Sequence, residues 1–315
     1  MSLKNSLKSR PVIYEIVPPR RDTSRFNTEL RGVESVLSDG RIDAINIPEL
    51  MTRRKQGGQV RYSPTTIPPE DYAMMIKGYK EPIVNLIAPR LPKDELLARA
   101  RRVVNDYGIR NVVLVGKEKS EDLLPGPSVV EALGMLGTVG PGVVLGGICI
   151  FNRESRASDY GHRGRLTEAR RVWAKEGAGC EFVTSQISFD PLPALKFLSA
   201  YRRLCDRTGS DPLTVFISIA TVPTPSILSL IEGLDVLVPP KVKRRMMNGE
   251  KMGRESVEVA AEVFEEILSE SERRGDRIPL GLQIEQVGVN SGDLSLELLD
   301  RVYPAFRGGR ALSTV

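Results

Sequence analysis

Val12-Ile13-Tyr14-Glu15-Ile16-Val17-Pro18-Pro19-Arg20 is a short apolar run with one carboxylate inside it, closed by two prolines and a basic residue. A nearly unbroken apolar run of this length suits a strand buried on both faces, as in a parallel sheet. Proline has no N–H to give to a ladder, so the strand ends at or near Val17. Glu15 then lies close to the carboxyl end of a buried strand. A carboxylate is costly there unless it is paired or protonated. Two readings follow: a functional acid, or one half of a structural ion pair.

The same unit recurs along the chain. Strand-like runs occupy 43–47, 82–87, 111–115, 147–151, 182–186, 213–219 and 280–284. Helix-like segments separate them, at 27–37, from Pro69 onward, and at 93–107, 128–136, 166–177, 193–207, 226–230, 254–272 and 294–302. The segment 93–107 shows the pattern most plainly, with Leu96, Leu97, Ala100 and Val103 at helical spacing and Gly108 placed to end it. Eight strand–helix alternations with no break in composition predict an α/β fold, a single (β/α)8 barrel over 11–306 with flexible tails at 1–10 and 307–315. A doubly wound sheet is the runner-up, and no G-x-G-x-x-G follows any strand to support it. The stretch 49–69, long, basic and rich in Gly, Thr and Pro, reads as a functional loop.

Composition narrows the function. Hydrophobic residues make up 41% and charged residues 27% of the 315, the balance of a soluble globular protein. No apolar run approaches the roughly 18 residues that a membrane span needs, and the basic first ten residues lack the apolar core of a secretion signal. Cys149, Cys180 and Cys205 are odd in number, widely spaced and without a C-x-x-C, which predicts a reducing, cytoplasmic setting and neither zinc nor a disulfide framework. His162 is the only histidine, which excludes His-rich metal sites and argues against a Ser-His-Asp hydrolase. A net charge of +5 with 5% aromatics fits an anionic small molecule better than nucleic acid.

In a barrel of this type the site forms at the carboxyl ends of the strands. The polar residues there are Glu15, Asn46, Asn85, Lys117 with Glu118, Asn152 with Arg153, Gln186, and Glu285 with Gln286. Amides dominate, which suits a heteroaromatic ligand with paired donors and acceptors. The alternative is that they cap backbone groups at strand ends. No phosphate loop and no carboxylate cluster spaced for a metal is present.

Three patches resemble the methylenetetrahydrofolate reductase family. They are the opening stretch with its aromatic-Glu-x-x-Pro-Pro-Arg pattern, Gly108-Ile109-Arg110 before the fourth strand, and the run from Lys175 through Gly177-Ala178-Gly179 to Gln186. The resemblance implies a barrel that reduces a methylene-tetrahydropterin to its 5-methyl form using FAD. Glu15 would be the general acid, Gln186 a pterin contact and Lys175 a flavin contact. Asn46, Glu285 and Gln286 would complete the substrate site. Asn85, Lys117, Glu118, Asn152, Arg153 and Arg171 would line the flavin, with Arg90, Arg153 and Arg171 either holding its pyrophosphate or serving as ordinary surface charges.

The chain also departs from that family. Gly116-Lys117-Glu118 stands where the family has Gly-Asp, Ile150-Phe151-Asn152-Arg153-Glu154 stands for its Tyr-Pro-Glu-x-His, and Asn85 replaces a flavin-contacting His. The Arg expected at the folate tail is replaced by Glu285 and Gln286. These departures leave room for hydride drawn directly from a nicotinamide, NAD(P)H, or from a deazaflavin. They also allow a tetrahydromethanopterin carrier, or a non-catalytic pterin-binding subunit of a larger reductase or methyltransferase complex. A homo-oligomer or a partner redox subunit is compatible with all of these.

Overall fold

The computed structural model describes residues 2–20, 33–56, 59–117, 122–154, 167–249, 251–288 and 292–308. Ten strands are present among them: β1 (Val12–Glu15), β2 (Ala44–Ile47), β3 (Met51–Gln56), β4 (Gln59–Pro64), β5 (Glu81–Ile87), β6 (Asn111–Val115), β7 (Val144–Cys149), β8 (Phe182–Ser185), β9 (Thr214–Ala220) and β10 (Leu280–Glu285). Eight of them close a barrel in the order β1-β10-β9-β8-β7-β6-β5-β2, while β3 and β4 form a separate antiparallel pair. The (β/α)8 barrel expected from the alternation is therefore the observed fold. No helix among the described residues is long and apolar enough to cross a membrane.

The chain divides into two compact units. One comprises Met1–Asn5, Ile13–Ile148 and Ala174–Val183. Its strands run parallel with Glu15 opposite Asn46, Asn46 opposite Ile83, and Ile83 opposite Asn111. This register sets two of the expected site residues side by side at neighbouring strand ends. The helix Lys93–Arg101 buries Leu96 and Ala100 and runs on through Arg102–Asp106 before stopping at Gly108, whose φ of 63° favours glycine. Ser128 opens the helix Val129–Leu136 through a capping box with Glu131.

The other unit comprises Ser6–Val12, Cys149–Trp173 and Thr184–Val315. β9 and β10 pair in register from Leu280 opposite Val215 to Glu285 opposite Ala220. Asp190 caps the helix Pro191–Thr208 by accepting from Leu192 N–H, and Gly209 ends it at φ 70°. The helix Met252–Arg274 buries an apolar stripe that includes Val257, Phe264 and Ile267.

Four expectations are corrected. The stretch 49–69 is not an open loop, because most of it pairs as the β3–β4 hairpin, from Met51 opposite Pro64 to Gln56 opposite Gln59. Gly57-Gly58 between the two strands is a hairpin-turn signal in the sequence. The first ten residues are not a frayed tail: Leu3–Ser6 is a helical turn, Leu3 and Leu7 are buried, and Thr214 Oγ1 donates to the Leu7 carbonyl. β7 starts and ends earlier than the run 147–151, so Phe151, Asn152 and Arg153 belong to the turn that follows it. An additional helix, Pro240–Asn248, escapes sequence reading because it is strongly basic and buries only Met246. Of the first expected helix, only Glu34–Ser38 is seen, and 27–32 lie outside the described residues.

Two barrel glycines make room for aromatic rings. A Cβ at Gly281 would come within 2.4 Å of the Phe216 ring, and one at Gly146 within 2.5 Å of the Phe182 ring. Both rings are fully buried and cannot withdraw. Gly281→Ala is expected to cost about 1–3 kcal/mol through overpacking, read as a fall in the urea midpoint with unchanged slope. An unchanged midpoint would show that Phe216 can repack.

Candidate functional site

In the first unit the strand ends gather Glu15, Asn46 and Asn85. Asn46 Nδ2 donates to Glu15 Oε2 at 2.7 Å. Burial pushes the Glu15 carboxyl up to about 7, and the Asn46 hydrogen bond pulls against that rise. Tyr14 and Ile16 beside it are buried, so the Glu15 carboxyl is set in an apolar wall. Asn46 and Asn85 are themselves buried, and the Oδ1 of each has no hydrogen-bond partner among the described residues. A buried acceptor without a donor costs about 1–3 kcal/mol, a cost that an N–H-bearing ligand would relieve. A carboxyl that titrates near neutrality beside two such acceptors can give or take a proton on a bound polar heterocycle.

The bond from Asn46 also tunes the acid. It favours the charged form, so Asn46→Leu is expected to move the Glu15 pKa further upward. Carboxyl-carbon NMR titration of the two proteins would read this directly. A downward or absent shift would mean that Asn46 does not act on Glu15.

In the second unit, Gln283 Nε2 donates to Glu285 Oε1 at 3.1 Å on β10, and Gln286 is buried just beyond the strand end. Gln283 is buried and aims Glu285, a role that strand-end reading missed because Gln283 lies two residues inside the strand. Thr221, fully buried beyond β9, carries a hydroxyl without a hydrogen-bond partner among the described residues. Gln186 follows β8 and spends its Nε2 on the Leu234 carbonyl at 2.8 Å. Gln186 and Asn152 share a small cleft with room for about one water, about 10 Å³.

The cations expected around a flavin divide. Lys117 is exposed and donates to the Asp122 carbonyl at 3.1 Å. Lys175 donates to the Ile148 carbonyl, and its methylenes pack on Gly147, so it supports β7 from behind. Arg153 Nη1 and Arg171 Nε lie 3.8 and 3.9 Å from one oxygen of Glu168, a fully buried carboxylate whose other oxygen accepts from Ile150 N–H. Two half-exposed guanidiniums thus face one buried carboxylate. Arg90 is drawn elsewhere, onto Glu49 at 2.9 Å. Glu118 and His162 lie outside the described residues.

No family model matches the chain, and no curated protein does. Among solved structures, the chain is similar to an uncharacterised protein from Clostridium thermocellum that binds two copies of 5-methyl-5,6,7,8-tetrahydrofolic acid. The TM-score is 0.75, with 21% identity over 96% of this chain and 99% of that one. The spore cortex-lytic enzyme SleL of Bacillus cereus is also similar, at 11% identity over 92% of this chain and 74% of that one, but its TM-score of 0.48 bears no weight. The first likeness is one of fold: a barrel of the same extent.

Proposed function

We propose that this barrel binds a reduced pterin carrying a one-carbon unit and reduces methylene to methyl, with Glu15 as the proton donor. The observation that carries the reading is Glu15 itself, a strand-end carboxyl held up to about 7 by burial and oriented by Asn46. Three features support the pterin as ligand. The similar barrel from Clostridium thermocellum binds 5-methyl-tetrahydrofolate. The buried acceptors of Asn46 and Asn85 suit a heterocycle rich in N–H groups. The Glu-x-x-Pro-Pro-Arg opening resembles the methylenetetrahydrofolate reductases.

In this reading the protonated Glu15 gives its proton to a ring nitrogen of the methylene-bridged carrier. The C–N bond to that nitrogen breaks, its electron pair stays on the nitrogen, and the carbon becomes an iminium on the other. Hydride addition to that carbon then yields the methyl group. Asn46 holds the carboxyl in place, and the barrel wall keeps it dry enough to remain protonated near neutral pH.

The residues present fit a flavin in part. Arg153 and Arg171 present half-exposed guanidiniums suited to a pyrophosphate, whereas Lys117 and Lys175 are spent on backbone carbonyls. A bound FAD would supply the hydride. The engagement of both lysines favours a second reading, in which a nicotinamide or deazaflavin supplies the hydride directly or the barrel binds the pterin without reducing it.

Anaerobic incubation with 5,10-methylenetetrahydrofolate and either reduced FAD or NADH separates these. Formation of 5-methyltetrahydrofolate with reduced FAD supports the flavin version, and formation with NADH alone supports direct transfer. Pterin binding without turnover by either donor, or by a reduced deazaflavin, would leave only the binding role.

A further inference from the structure

Just beyond the ends of β2 and β5, the first unit holds a half-open cavity of about 400 Å³ between the foot of the β3–β4 hairpin, the Pro68-Pro69 turn and the helix Lys93–Arg101. That volume lies in the range of small-molecule pockets. Its floor is a buried ionic network. Arg99 bonds Glu70 through Nε and Nη2 at 2.9 and 2.8 Å and Glu49 through Nη1 at 2.5 Å. Glu49 also accepts from Ile87 N–H at 2.7 Å and from Arg90 Nη2 at 2.9 Å. Every oxygen of the two buried carboxylates is thereby engaged, and so are three of the nitrogens of Arg99.

One donor remains over. Arg90 Nε is buried and has no hydrogen-bond partner among the described residues. Arg102 stands exposed on the rim of the same cavity. The unmet requirement is an acceptor, best a negatively charged one, because a charge-assisted bond to guanidinium is the strongest that this donor can make. The rest of the wall is mostly apolar, with Leu50, Pro68 and Leu91 on it, and Thr66 and the exposed Glu95 are its other polar members.

We propose that this cavity is a second small-molecule site, taking an organic monocarboxylate with an apolar ring. The carboxylate meets Arg90, with Arg102 at the entrance, and the ring lies against the proline and leucine wall. The inference does not rest on the Glu15 chemistry, since it uses none of Glu15, Asn46 and Asn85, and it gives Arg90 a role here in place of the flavin contact expected from sequence.

The test is calorimetric and ligand-observed NMR titration of the whole chain with benzoate, phenylacetate and 4-phenylbutyrate, each beside its neutral amide. Two variants accompany it. Arg90→Met keeps the aliphatic stem and removes the guanidinium, while Ala98→Phe fills the cavity from an exposed position of the helix. Circular dichroism and thermal unfolding check that each variant folds. The expected result is saturable binding of at least one carboxylate, weakened about ten- to hundredfold in its amide and in Arg90→Met, as loss of a hydrogen bond to a charged group implies, and abolished in folded Ala98→Phe. Absence of binding by all three acids at millimolar concentration would overturn the proposal. Binding indifferent to both substitutions, or equal for acid and amide, would overturn it as well.

Discussion

Glu15→Gln is expected to lower methylene-carrier reduction by about 10²–10⁴-fold, the usual contribution of a positioned general acid, while leaving pterin binding in place. Gln keeps the shape and can still accept from Asn46 Nδ2, so the site should stay assembled. The variant should also lose a feature of the pH profile. The wild-type acid is needed in its protonated form, so activity should fall as pH rises through about 7, and this limb should vanish from the residual activity of Glu15→Gln. The substitution should move stability the opposite way from activity. The folded pKa of Glu15 lies above its ordinary value, so between about 4.5 and 7 the native state holds a proton that the unfolded chain releases. Stability therefore falls with rising pH across that window. Replacing Glu15 by a neutral amide removes this loss and is expected to raise stability at pH 8 by up to about 3 kcal/mol, from the size of the shift. Steady-state kinetics and urea unfolding of the two proteins at pH 6 and 8 check both halves. Full activity in the variant would remove Glu15 from the chemistry.

Arg99→Leu is expected to carry a large stability cost, about 3–5 kcal/mol, because it strands the buried Glu70 carboxylate and leaves Glu49 with Arg90 alone as its cation. Burial works against charge at Glu70, yet the Arg99 guanidinium outweighs it and holds that carboxyl below its ordinary range. A depressed pKa stabilises the native state above the unfolded value, and the contribution is lost as pH falls through the folded one. The deficit of Arg99→Leu should accordingly be full at pH 7 and shrink in acid. Adding Glu70→Leu should restore part of the loss, since it removes the stranded charge. Urea unfolding of the three proteins measures this; a loss under about 1 kcal/mol in Arg99→Leu would show that water reaches the network.

The barrel was legible because each strand announces itself as an apolar run ended by a polar or breaking residue, and this needs only local information. Glu15 and Asn46 were legible for the same reason: both fall at such run ends, and parallel register places them together. The network under the hairpin was not legible. Arg99 stands 29 residues from Glu70 and 50 from Glu49, and nothing local distinguishes it from the other arginines of a basic amphipathic helix. Lys175 shows the limit in the other direction. Its place before Gly-Ala-Gly resembles that of a flavin-contacting lysine, but whether a long flexible side chain reaches a ligand or folds back onto the Ile148 carbonyl depends on packing around Gly147. Gln283 was missed because only the outermost strand residues were read, whereas its amide reaches along the strand to Glu285.

The most direct test of the central claim, that a reduced pterin rests on the Glu15–Asn46 pair, is calorimetric titration with 5-methyltetrahydrofolate at pH 6 and 8. It compares the wild-type protein with Glu15→Gln and Asn46→Leu. The prediction is saturable binding by the wild type that changes between the two pH values, the same binding without that pH dependence in Glu15→Gln, and clearly weaker binding in Asn46→Leu. No binding by the wild type, or binding untouched by either substitution, would contradict it.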